Sequence, residues 1–171
     1  MTAVAAALKK ARTLWPLPAG IGGYLQSAAV ILTAVESASD IDEVTNRLIR
    51  SFPEVQSRRT PRNYLLVLAN LGLVDLGHSS VRLTRQGRDF LSRRDPVIIR
   101  NALITRIAGV EELLDILRNE HGQISLLTSR LRERGYAWNT QSQVHYRLRW
   151  LEAAGAVERP SPQIWRLQIG T

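Results

Sequence analysis

Apolar positions along this chain recur with two different periods, and the changes of period mark its elements. From Tyr24 to Glu36, residues Leu25, Ala28, Ala29, Ile31, Leu32 and Val35 recur at helical spacing. Asp40 then precedes a second helical run, Ile41 to about Phe52, as an N-cap, with Glu43 at the third position completing a capping box. Pro53 ends that run. Thr60-Pro61 opens a third helix, with Thr60 as N-cap and Pro61 at the first helical position. Its buried side would be Tyr64, Leu65, Leu68 and Leu71, and Gly72 is the natural stop. Beyond Gly72 the period shortens. Leu73–Leu76 and Ser80–Thr84 read as two short strands around the turn Gly77-His78-Ser79, and the stretch Thr84–Leu91 starts a further helix.

The same pattern returns 83 residues later, the distance from Gly72 to Gly155. At that offset Ile41 falls on Ile124, Val44 on Leu127, Thr45 on Thr128, Leu48 on Leu131, Leu65 on Leu148 and Leu68 on Leu151, with no gap. Val81-Arg82-Leu83 matches Trp165-Arg166-Leu167 after one inserted residue. The second copy predicts helices over Val110 to about Asn119, Ile124 to Arg134, and about Thr140 to Ala154. Gly135 and Gly155 are stops, and Thr140 with Gln143 forms a capping box. Strands over Ala156–Glu158 and Ile164–Leu167 flank a tip at Arg159-Pro160-Ser161-Pro162. Between the copies, Asp95–Ile107 is apolar at Val97, Ile98, Leu103, Ile104 and Ile107, which predicts a linking helix packed against both. The expected class is mainly α with small β-hairpins (α+β). The expected division is an N-terminal arm over 1–24, a first unit over 25–93, a linker over 94–107 and a second unit over 108–171.

Three helices followed by a two-stranded hairpin is the order of a winged helix. The segment LLVLANLGLVDLGHSSVRLTRQGRDFL resembles the third-helix, wing and post-wing stretch of winged-helix DNA-binding proteins, and YRLRWLEAAGAVERPSPQIWRL is similar to the same stretch again. In that superfamily a leucine-rich third helix ends in a turn like Leu-Gly-Leu-Val, and Leu-Thr-x-x-Gly follows the wing. The resemblance implies two tandem winged-helix domains joined by a helix. Tandem units of this kind resemble transcription regulators and the DNA-reading modules of modular restriction endonucleases; others serve as protein-binding scaffolds. Fold likeness alone does not fix function.

Charge sharpens the picture. The formal net charge is +8 and the isoelectric point about 10.9, which favours a polyanionic partner through counterion release. The basic residues are mostly arginine, with lysine only at Lys9 and Lys10, and arginine suits bidentate phosphate or guanine contacts. In the resembled family the third helix enters the major groove of double-stranded DNA, its N-terminal half against the bases. Carried onto this chain, that implicates Arg58, Arg59, Thr60, Arg62 and Asn63. No acidic residue lies between Gln56 and Ala69 to neutralise this cluster. In the second copy the corresponding candidates are Gln141, Ser142, His145, Tyr146 and Arg149, with Thr140 and Gln143 set aside for capping. Wing contacts to phosphate or minor groove would come from His78, Ser79, Ser80 and Arg82, and from Arg159 and Gln163. Arg85, Arg88, Arg93 and Arg94 add positive surface of no assigned direction.

Catalytic signatures are missing from the sequence. His78, His121 and His145 are isolated, cysteine is absent, and no phosphate-binding glycine loop occurs, so no catalytic residue, metal or cofactor is expected. No apolar run approaches the roughly 18 residues of a membrane span, so no membrane partner is expected, and the cytoplasm is the default compartment. Met1–Arg12 is too weakly hydrophobic for a signal peptide and reads as a short helix or an arm. The apolar segment Trp15–Pro18 and Ile21–Tyr24 can cover the core, swap between protomers of a homodimer, or dock a partner protein.

Overall fold

The computed structural model describes residues 10–18 and 20–168, without the side chains of 20–22. Residues 1–9, most of the expected N-terminal helix or arm, and 169–171 lie outside the described residues. The described chain is mainly helical, with two small antiparallel two-stranded sheets, an α+β arrangement. In order it runs α1 (Gly20–Ser37), α2 (Ile41–Ser51), α3 (Arg59–Asn70), β1 (Val74–Leu76), β2 (Val81–Leu83), α4 (Arg85–Arg93) and α5 (Pro96–Arg106). It continues with α6 (Val110–Asn119), α7 (Ile124–Glu133), α8 (Ser142–Ala153), β3 (Val157–Ser161) and β4 (Ile164–Leu167). The order of three helices and a hairpin therefore occurs twice, at the residues the periodicity indicates.

Local rules explain most boundaries. The Asp40 carboxylate accepts a hydrogen bond from the Glu43 N–H at 3.0 Å and caps α2. Glu43 does not complete the capping box; its carboxylate holds Arg47 one turn on, at 2.7 Å. Thr84 caps α4 through the Gly87 N–H, and Asp95 caps α5 ahead of Pro96. Gly72 and Gly155 both adopt left-handed backbone, φ 73° and 67°, as the turn from third helix to first strand requires. A further correspondence ties each hairpin back to its own helices: isolated antiparallel bridges join Asp40 to Ser80 and Gly122 to Trp165.

Three boundary expectations need correction. Thr60 is not the N-cap of α3. The helix begins at Arg59, the Ser57 hydroxyl accepts from the Arg59 N–H, and Pro61 sits third, where its missing N–H is still no loss. Thr140 and Gln143 form no capping box: Thr140 accepts from the Ser142 N–H, while the Gln143 amide turns away to the N-terminal segment. The tip of the second hairpin is Pro162-Gln163, because β3 continues to Ser161 through a register shift after Glu158. That irregularity accommodates Pro160, which cannot donate to a ladder.

One contiguous apolar core runs through the molecule. Helix α1 is buried on several sides, through Ala28, Ala29, Ile31, Leu32 and Val35. It packs on α2, α3, α4 and β2, and also on α8. Helix α5 lies between the two copies of the pattern in sequence and packs on α4, α6 and α8. Its arginines reach the two equivalent turns: Arg106 lies against Gly72, where a Cβ would fall 2.5 Å from its guanidinium carbon. Arg100 donates to the carbonyls of Ala154 and Gly155 at 3.0 and 2.9 Å.

The apolar segment before α1 covers the core of its own chain. Ala11 forms a parallel bridge with Ile107, and Leu14 and Leu17 are buried, each side chain contributing about 1.5–3 kcal/mol on burial. The Trp15 carbonyl accepts from the Trp150 indole N–H at 2.9 Å. Gln143, Arg147 and Trp150 all turn toward this segment, so one long side of α8 is spent on it.

Candidate nucleic-acid interface

The two third helices are not equivalent surfaces. On α3, Arg59, Arg62 and Leu66 are exposed, with Asn63 half-buried beside them; the spacing places all four on one face. Among the described residues the side chains of Arg59, Arg62 and Leu66 stay exposed. The Arg62 guanidinium donates to the His78 carbonyl at 3.4 Å, so the stripe is continuous with the turn of the first hairpin. Exposed His78, Ser79 and Ser80 extend it, while Arg82 stands exposed on β2 opposite Asp75.

The remaining members of the first cluster are less free. Arg58 donates to the Asn46 side chain at 3.0 Å and lies 3.7 Å from the Asp42 carboxylate. The cluster lacks a neutralising acid in sequence, but α2 supplies one in space, and it reaches Arg58 only. Thr60 is half-buried in the first turn of α3. Arg59 has no carboxylate partner among the described residues. Its helix end carries the positive pole of the dipole, which favours an anion.

On α8, Gln141 and Ser142 are exposed, and His145, Tyr146 and Arg149 are half-buried. Tyr146 packs between Trp15 and His145, with ring centroids 6.4 and 6.3 Å away. Arg149 faces inward rather than away from the protein. Its Nε is buried without a hydrogen-bond partner, and its charge lies close enough to Tyr24 to oppose the upward pull of burial on that phenol. Helix α8 thus presents its first turn, and the N-terminal segment and α1 occupy much of the rest.

That first turn borders a cleft of about 290 Å³ between α7, α8 and the second hairpin, lined by Gln123, Ser125, Gln141, His145, Arg159 and Gln163. Burial lowers the His145 pKa below its usual value, and the positive charges of Arg149 and Arg159 lower it further. Arg159 is fixed by Glu152 at 3.3 Å and lies over the Trp165 ring at 5.0 Å.

Comparison of the chain with family models, curated proteins and solved structures finds no match. The reading of the surface therefore rests on its own geometry. Among the described residues no group of three His, Asp or Glu is placed to hold a metal, and no helix is long and apolar enough to cross a membrane.

Leu66 was not among the candidates the sequence indicates. Its signal is positional: it stands four residues after Arg62 and seven after Arg59, on their face. A leucine in an apolar-rich helix reads as core, yet Leu66 is 44% exposed. An apolar side chain next to arginines on an exposed helix face suits contact with a thymine methyl group.

Proposed function

We propose that this protein is a non-enzymatic double-stranded-DNA-binding protein made of two winged-helix units, with α3 as its principal reading helix. The observation that carries this is the stripe Arg59, Arg62, Asn63 and Leu66, joined to the first hairpin through Arg62 and the His78 carbonyl. It combines cations for phosphate, an amide and guanidinium for base edges, and an apolar contact. The net charge of +8 supplies the long-range attraction. The first turn of α8, with Gln141, Ser142 and His145, adds a second and narrower contact. Such a protein serves as a transcription regulator or as the recognition module of a restriction-type system.

Retention on a randomised duplex-DNA pool across a salt series tests this. If about 6 phosphates are neutralised, log affinity falls against log salt with a slope near −5. An enriched motif supports sequence reading, and a steep slope without one supports a shape reader. No retention at low salt instead favours a protein-interaction scaffold, whose specific support is Trp15, 40% exposed on the N-terminal segment.

A further inference from the structure

A groove of about 670 Å³ runs between α1 and α2, and Arg94 after α4 also lines it. No residue of α3 or of either hairpin lines it, so it is separate from the surface described above. Val30, beside the nearly buried Ala29 and Ala34, gives the groove a small apolar patch among polar Gln26, Thr33, Ser37 and Ser51, and Arg47, Arg50 and Arg94 make it basic, with no carboxylate in the lining. Arg47 is neutralised by Glu43 at 2.7 Å. Arg50 and Arg94 have no carboxylate partner among the described residues.

The way these two arginines are held is specific. The Nε of Arg50 donates to the Asn46 carbonyl at 3.2 Å, and the Nε of Arg94 donates to the Leu91 carbonyl at 3.0 Å. Each guanidinium is thus anchored at one edge by backbone. Neither outer pair of N–H groups has a partner among the described residues. Arg94 is also the one non-glycine residue with positive φ among them, at 55°. Glycine or asparagine is the usual occupant of that left-handed position, so an arginine there costs stability that a glycine would not. Strained backbone of this kind persists only where the surrounding structure holds it, and it recurs at ligand sites.

We propose that the groove binds a small organic dianion, with a short apolar body on the patch at Val30 and carboxylate or phosphate oxygens on Arg50 and Arg94. Planar guanidinium forks match both groups bidentately. Because α1 lines the groove and packs also on α8, an occupant would bear on a helix that contacts the second copy of the pattern as well as the first.

Titration calorimetry on the full chain tests this with adipate, hexyl phosphate and the neutral adipamide, in buffer free of phosphate and carboxylate. Adipate or hexyl phosphate should bind one per chain, their relative affinity telling a carboxylate from a phosphate source, and adipamide should not bind. Arg94→Gly removes the guanidinium while suiting the left-handed backbone, so its melting temperature should be equal or higher as binding weakens about tenfold or more. Arg50→Gln should weaken binding similarly. No heat with either dianion, or unchanged binding in both variants, would overturn the proposal. So would a loss of DNA affinity in Arg94→Gly as large as that in Arg62→Ala, which would make the groove part of a DNA surface.

Discussion

The side-chain amide of Gln143 pairs with the backbone of Leu14 on both sides, accepting from the Leu14 N–H at 3.0 Å and donating to the Leu14 carbonyl at 3.3 Å. The two residues are 129 positions apart, yet the amide treats the N-terminal segment as a strand treats its neighbour. Beneath them lies Arg147, fully buried, donating to the carbonyls of Ala108, Arg12 and Gln143 and to the Gln143 side-chain oxygen at 2.8–2.9 Å, with its guanidinium 4.3 Å from the Trp138 ring. Burial lowers its pKa to about 10, so at neutral pH it is a charged guanidinium satisfied from several sides.

Gln143→Ala should lower stability by about 2 kcal/mol, since it removes two bonds to Leu14 and one acceptor of Arg147. Urea denaturation measures this. Unchanged stability would mean that the segment is not held through this amide.

Arg147→Met should cost about 1–3 kcal/mol, because it takes the donor away from the part-buried Ala108 and Arg12 carbonyls. Arg147→Lys should recover little of it, as an ammonium cannot reproduce the planar fork that spans Ala108, Arg12 and Gln143. Thermal melts of the two variants compare them directly.

Arg59→Ala and Arg62→Ala should each weaken duplex-DNA binding and flatten the salt slope by about 1. Arg149→Ala should lose less, because its Nε is buried against the protein. A larger loss for Arg149 than for Arg62, measured by fluorescence anisotropy at several salt concentrations, would contradict the assignment of α3 as principal reader.

His145 titrates below its usual value, so the folded state resists its protonation. Its contribution to stability is complete above about pH 6.5, the unfolded value, and falls as pH drops from there toward the lower folded pKa. Binding of phosphate near the cleft would pull the proton back on, so DNA affinity should rise as pH falls through the same window. His145→Asn should abolish that part of the rise. Equal pH profiles for the two would remove His145 from the interface.

Gly87→Ala should destabilise by about 1–3 kcal/mol, as a Cβ there would lie 2.0 Å from the Leu73 carbonyl oxygen, which is backbone and cannot swing away. Chemical denaturation checks this. A stability equal to that of the parent would show that α4 can shift away from β1.

The elements themselves are legible along the chain because their signals are local. Asp40, Thr84 and Asp95 cap the residues just beyond them, and Gly72 and Gly155 terminate helices because left-handed backbone disfavours a Cβ. The 83-residue repeat was visible for the same reason: equivalent helices need equivalent buried positions, and Thr45 and Thr128 are both buried in equivalent helices. Arg59, Arg62 and Asn63 could likewise be chosen from their place at a helix entrance. The exposure of Leu66 could not, because leucine fits a core and a contact surface equally well.

Tertiary structure alone decided how much of α8 remains open. Read locally, Thr140 and Gln143 make a capping box, and Arg149 sits at helical spacing from His145. In the fold, Gln143, Arg147 and Trp150 serve residues 12–15, and Arg149 turns toward Tyr24. Those contacts join positions more than a hundred residues apart, and their polar groups are satisfied only once both segments are in place. Composition, charge and periodicity therefore determined what the elements are and that the chain is basic. Packing of the N-terminal segment on one of two similar helices determined which of them keeps the more exposed face.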